Sequence, residues 1–183
     1  MWGTEKLLTS FDGVNVTLPA PDRAPIGAWP HVDQSPLRKG LQCVQGILNL
    51  TPNGLHDGGL IVLKGSSALN EQFFKSHSNN RETWGPADWF GFTDEEVAWF
   101  VSNGCEVTKV CAEPGDLILW DSRTVHYNAL PESNTIRSVL CMLLQFSAML
   151  DETRSHSQIS ATPLQLMPLS RILKLKRAFF TKE

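Results

Sequence analysis

Residues 41–63 read LQCVQGILNLTPNGLHDGGLIVL. Positions 41–50 are apolar and β-prone enough for a strand, TPNGLHDGG carries turn chemistry, and positions 60–63 make a second short strand ending at Lys64-Gly65-Ser66. Two short apolar strands joined by a Gly-rich turn predict antiparallel pairing, because a parallel pair needs a long crossover. Downstream the same punctuation recurs. Residues 106–111 precede the turn Glu113-Pro114-Gly115-Asp116, a strand follows over 117–120, and the last strong strand is IRSVLCMLLQF at 136–146. Short strands separated by turns favour an all-β sandwich or barrel with a few helices.

Working outward, residues 1–10 are expected to form a short helix or a loose arm, and residues 11–30, rich in Pro, Asp and Gly, to form strand fragments and loops. Residues 67–103 differ in character, with FF, WF and AWF clusters among polar residues. Within them TDEEVAWFV reads as a helix, Thr93 capping and Glu95 and Glu96 in the first turn. This stretch is expected to be a partly helical insertion between strands. The tail, 147–183, contains RILKLKRAFF, which predicts a surface helix packed on the body. With 183 residues the chain is read as one domain over 1–183, its core at about 10–146.

Apolar residues at 42% and charged residues at 19% exclude a disordered chain. A net charge of −3 leaves no electrostatic footprint for nucleic acid or an anionic membrane. No apolar run approaches the roughly 20 residues that cross a bilayer. The start lacks the basic-then-apolar pattern of a secretory signal. The expectation is a cytoplasmic protein acting on a small-molecule substrate, with no sign of its oligomeric state. Cys43, Cys105, Cys111 and Cys141 form no CxxC pair, which argues against a zinc ribbon or a redox motif, and they are expected to be small buried apolar residues. No GxGxxG, GxxxxGK[ST] or GxSxG occurs.

Three pieces carry chemistry. In WPHVDQSP, strand alternation projects His31 and Asp33 from one face, close enough to bind one metal ion. In PGDLILWDSRTVHYN, a turn launches an apolar strand and His126 follows just beyond it. Two histidines and one carboxylate occupy three positions of an octahedral iron and leave three open. Third, Arg137 opens the last apolar strand, an expensive place for an unpaired charge unless an anion answers it. A salt bridge to a surface Asp or Glu is the structural alternative.

HxD, the Gly58-Gly59-Leu60 strand, PGD-strand-His126 and then Arg137 eleven residues later resemble, in that order, the phytanoyl-CoA dioxygenase family, particularly its fungal members. The resemblance runs from about residue 10 to about 139. It implies a double-stranded β-helix (jelly roll, cupin-like), with Fe(II) as cofactor and 2-oxoglutarate and O2 as co-substrates. By that pattern His31, Asp33 and His126 would ligate iron, and Arg137 would bind the distal carboxylate of 2-oxoglutarate. Asn128 stands where the family often offers a small hydroxyl side chain to that carboxylate. Only 30 residues precede His31, fewer than family members carry, which points to a shortened chain.

Other residues rank lower. Gln45 and Asn49 share a strand face and either turn to the pocket or to solvent at a strand edge. His56, His77 and His156 are expected to be exposed. Trp84, Trp89 and Trp99 either pack the insertion or line a substrate mouth, packing being favoured. Asp121 and Arg123 are expected to pair. The reading that follows is a dioxygenase oxidising a C–H bond of a small organic substrate, apolar or polyketide-like, since no basic cluster marks a CoA phosphate site. Two alternatives use the same residues: a truncated, non-catalytic jelly-roll binding protein that keeps the metal pocket, and a zinc-dependent cupin-like hydrolase or isomerase.

Overall fold

The structure is a computed structural model and describes residues 7–19, 27–78, 84–85, 87–146 and 167–168. Its strands are β1 (Leu7–Thr17), β2 (His31–Val32), β3 (Cys43–Asn49), β4 (Gly59–Lys64), β5 (Phe90–Gly91), β6 (Glu106–Lys109), β7 (Leu117–Asp121), β8 (His126–Ala129), β9 (Arg137–Phe146) and β10 (Met167–Pro168). Two helices accompany them, α1 (Ser66–Ser76) and α2 (Asp94–Ser102). The strands form two five-stranded sheets, ordered β10-β1-β9-β3-β7 and β5-β2-β8-β4-β6. Every pairing is antiparallel. This is the mostly β architecture that the strand-and-turn pattern predicts, in the double-stranded β-helix form that the family resemblance implies.

One expectation is overturned. β3 and β4, consecutive and joined by TPNGLHDGG, do not pair. β3 lies between β9 and β7, whereas β4 lies between β8 and β6. The connection is a corner between sheets, and its two glycines are built for it. Gly58 has φ 69°, and a Cβ there would stand 2.6 Å from Pro131 N and 2.7 Å from Ala129 O. Asn49 at the end of β3 completes the corner, its amide donating to the carbonyls of Ala112 and Glu113 at 3.2 and 3.1 Å. Asn49 is therefore a buried staple of the fold, and its pocket reading is withdrawn.

A second correction concerns the N-terminal arm. Residues 7–10 belong to β1, which runs along β9 for ten pairs with one irregularity between Phe11 and Gly13. The expected tail helix lies outside the described residues.

The 67–103 segment is partly helical as expected, although α1 begins one residue earlier. Thr93 caps α2 in a reciprocal box. Its hydroxyl accepts from Glu96 N at 3.3 Å, and Glu96 Oε2 accepts from Thr93 N at 2.9 Å. Phe73, Phe74, Phe92 and Phe100 from this segment pack with Val32, Leu63 and Val125 in one buried cluster, with Trp84 and Trp99 against its edge. Packing, as favoured, describes these two tryptophans. Among the described residues no helix is long and apolar enough to cross a membrane.

Candidate metal centre

His31 opens β2 and His126 opens β8, and the two residues are paired across the strands. Each is next to a fully buried valine of the apolar cluster, Val32 after His31 and Val125 before His126. Alternation sends the valines into the core, so the imidazoles turn the opposite way, into the space between the sheets. Val125 is held further by Ser66 Oγ, which accepts from its N–H at 2.9 Å, and by its own carbonyl, which accepts from Leu63 N at 2.8 Å.

Asp33 follows β2 by one residue and points back to the same space. Its Oδ2 stands 3.7 Å from His31 Nε2 and 3.4 Å from His126 Nε2. The three donor atoms lie within 4.8 Å of one another.

The tautomers follow from the hydrogen bonds. His31 Nδ1 is 3.0 Å from the Trp29 carbonyl and His126 Nδ1 is 3.0 Å from the Thr124 carbonyl. A carbonyl only accepts, so each Nδ1 carries a proton, and Nε2, the ring nitrogen that faces Asp33, is the atom left to ligate a metal. Such outer bonds orient metal-binding histidines. Burial pushes the His31 imidazole below its ordinary value, which favours the neutral ligand form. Burial alone would raise the Asp33 carboxyl, but the His126 ring and the Gln45 amide outweigh it and hold the carboxyl low. A carboxylate and two imidazoles facing one point are the donor set for a divalent transition metal.

Gln45 enters the site through Asp33. Its Nε2 donates to Asp33 Oδ2 at 2.5 Å, from β3 of the opposite sheet. Trp29 stacks on His31 with centroids 4.2 Å apart and planes within 5°. Trp120 on β7 meets His126 edge-on at 5.3 Å, and Trp89 lies 6.4 Å from His31. A sequence pattern centred on His31, Asp33 and His126 gives no role to Trp29 and Trp120. A tryptophan two residues before His31 on extended chain is the one signal for the first, and nothing local announces the second.

Arg137, 4% exposed, extends from β9 to the facing sheet. A Cβ at Gly59 would stand 2.6 Å from its Nε and 2.9 Å from its Cζ, so the guanidinium fills the place a side chain on β4 would take. Among the described residues no carboxylate pairs with it, and its buried Nε has no hydrogen-bond partner. Burial pushes the guanidinium down from its ordinary value. The salt-bridge alternative finds no partner among the described residues.

Asn128, two residues beyond His126, is exposed and its amide donates to the Ala129 carbonyl at 3.4 Å. His56 is exposed and bonded to Glu132, while His77 stacks on Phe73 at the end of α1, less open than expected. His156 lies outside the described residues. Asp121 and Arg123 pair at 2.7 Å as expected. All four cysteines are free, but Cys111 is exposed, against the expectation of burial.

With this geometry in hand, the likeness to known proteins is informative. No family model matches the chain. It is 41% identical over 149 residues to Ava biosynthesis cluster protein O of Aspergillus versicolor, covering 78% of this chain and 48% of that protein. The chain thus spans about half the length of the curated relative it matches. Among solved structures it resembles the epimerase SnoN in complex with Fe3+, alpha ketoglutarate and nogalamycin RO, with 16% identity, TM-score 0.52, and 87% of this chain and 62% of that one covered. It also resembles EctD from S. alaskensis with 2-oxoglutarate and 5-hydroxyectoine, at 12% identity, TM-score 0.51, and 77% and 45% coverage. The shared feature is the fold. Both neighbours hold 2-oxoglutarate in it, one of them together with iron.

Proposed function

We propose that the protein is an Fe(II)- and 2-oxoglutarate-dependent dioxygenase of the phytanoyl-CoA dioxygenase-like kind, oxidising a C–H bond of a small organic molecule and releasing succinate and CO2. The observation that carries this reading is the convergence of His31 Nε2, His126 Nε2 and Asp33 Oδ2, each histidine already fixed in the ligand tautomer.

The residues fit the group on two counts. His31, Asp33 and His126 supply three donors from one side, so an octahedral iron keeps open positions for a chelating keto acid and dioxygen. Arg137 is a buried guanidinium that no carboxylate among the described residues pairs with, of the kind that takes a carboxylate in two parallel bonds. It would bind the distal carboxylate of 2-oxoglutarate, and Asn128 would give up its weak bond to Ala129 to donate to the same group.

Bound iron would supply the oxidative chemistry: 2-oxoglutarate and O2 become succinate and CO2, and one oxygen atom goes to the substrate as a hydroxyl. The chain's own work is positioning. Gln45 holds the Asp33 carboxylate, Trp29 and Thr124 hold the rings through their carbonyls, and the two sheets exclude water. A relative from a biosynthesis cluster favours a small metabolite as substrate over an acyl-CoA.

The test is an anaerobic titration with Fe(II) and 2-oxoglutarate, read by the visible charge-transfer band of the chelate. The band is expected in the wild type and absent in Asp33→Ala. Its absence from folded wild-type protein would sink the proposal, and a band without succinate release in air would leave a binding protein.

A further inference from the structure

A cavity of about 370 Å³ borders Asp33 and Gln45 and is walled by Arg38, Gln42, Cys43, Asp88 and Leu143. Gln45 pairs with Leu143 across β3 and β9, and Arg137 is six residues from Leu143 on β9, about 20 Å along a strand. We propose that this cavity receives a non-anionic, flat-ringed molecule whose hydroxyl donates to Gln45 Oε1 and whose ring extends past Asp88 towards Trp89, an inference that rests on the metal reading above.

The polarity of Gln45 is settled by its partner. A carboxylate only accepts, so the amide nitrogen must face Asp33 and the amide oxygen must face away. That oxygen is buried and has no hydrogen-bond partner. Directly across from Gln45 on β7 is Trp120, whose indole N–H is likewise buried and unpartnered. A buried acceptor beside a buried donor is costly unless a ligand answers both. A hydroxyl does so, donating to one and accepting from the other.

The walls disfavour an anionic ligand. Arg38, the one cation among the lining residues, is engaged by Asp88 at 2.9 Å. Burial raises the Cys43 thiol, keeping that wall neutral. Gln34 spends its amide on Gly40 and Ser122. An anion would meet Asp33 and Asp88 with no free cation to offset them.

The flat shape comes from the rim. Trp89, half exposed, follows Asp88 and lies over Gly91, where a Cβ would stand 3.0 Å from its ring. A half-exposed indole one residue from the lining residue Asp88 offers a stacking plate for a ring that reaches beyond the cavity. The cavity lies within the range of about 300–1,000 Å³ typical of small-molecule sites.

The test uses 2-naphthol, 2-methoxynaphthalene and 2-naphthoate as probes, titrated calorimetrically with and without Fe(II) in the absence of oxygen. 2-Naphthol is expected to bind roughly tenfold tighter than its methyl ether. Gln45→Met and Trp120→Phe should each shrink that ratio, while Trp89→Leu should weaken both neutral probes several-fold and leave the ratio intact. Equal affinities for naphthol and its ether, no binding of either, or tighter binding of the naphthoate, in folded wild-type protein, would overturn the proposal. Fe(II) binding with a ratio of one would sink this inference alone. The expected ratio without Fe(II) binding would sink the metal reading alone.

Discussion

His31 and His126, 95 positions apart in the chain, are cross-strand partners whose ring centroids lie 4.3 Å apart. The pairing makes the candidate metal centre a property of the sheet. Neither imidazole can move without disturbing β2, β8 and the valines beside them.

Replacing a proposed ligand should therefore abolish metal binding and spare the fold. Asp33→Ala is expected to lower affinity for Co(II), a spectroscopic stand-in for iron, by more than about 100-fold, since even outer partners of metal ligands cost 10–100-fold. Its melting temperature should stay close to wild type. Undiminished Co(II) binding would remove Asp33 from the centre.

Arg137 offers a contrast between stability and binding. Its guanidinium is buried without a carboxylate among the described residues, so Arg137→Met should leave the protein as stable as wild type or more so. The same change should weaken 2-oxoglutarate binding about 10–100-fold, the worth of a charge-assisted pair. Thermal melts and 2-oxoglutarate titrations on one preparation measure both. A marked loss of stability would point to a structural role instead.

Gly59 and Gly104 form a matched pair. Both have φ near 90°, but a Cβ at Gly104 meets nothing within 4 Å, whereas one at Gly59 meets Arg137. Gly104→Ala should cost only the backbone strain, about 1–2 kcal/mol. Gly59→Ala should cost more and also weaken 2-oxoglutarate binding by displacing the guanidinium. Equal effects of the two on both readouts would contradict the cradle.

The aromatic cluster predicts coupling between the insertion and the site. Phe100 is fully buried against Phe73, Phe92 and the valine-bearing strands, so Phe100→Ala should destabilise by about 3–5 kcal/mol. Metal affinity should fall as well, because Val32 and Val125 lose their backing. Full affinity in the folded variant would show that the centre does not depend on this packing.

How much of this could be read beforehand follows from distance along the chain. His31 and Asp33 share a face because alternation is local, and the Thr93–Glu96 box closes within four residues, so both were legible in the letters. His126 and Arg137 were found by spacing and family likeness, and the structure then put them against partners no local rule names. The error at β3 and β4 has the same source. TPNGLHDGG has the composition of a hairpin turn, and composition does not say whether the chain returns to its own sheet or crosses to the other. Gly58 crosses because Ala129 and Pro131, more than 70 residues later, occupy the space beside it.

By itself, then, the sequence determined most of the central strands and turns, the capped helix, the candidate metal-ligand residue types and the presence of a buried-strand arginine, since these depend on neighbours within a turn or a strand. The tertiary structure decided which sheet each strand joined, that Asn49 staples a corner while Gln45 holds Asp33, that Arg137 lies in the cradle of Gly59, and that Trp29 and Trp120 flank the histidines. Apart from the short steps from Trp29 to His31 and from Trp120 to His126, these are contacts between residues about a dozen to well over 100 positions apart, and they exist only once two sheets have closed over a common interior.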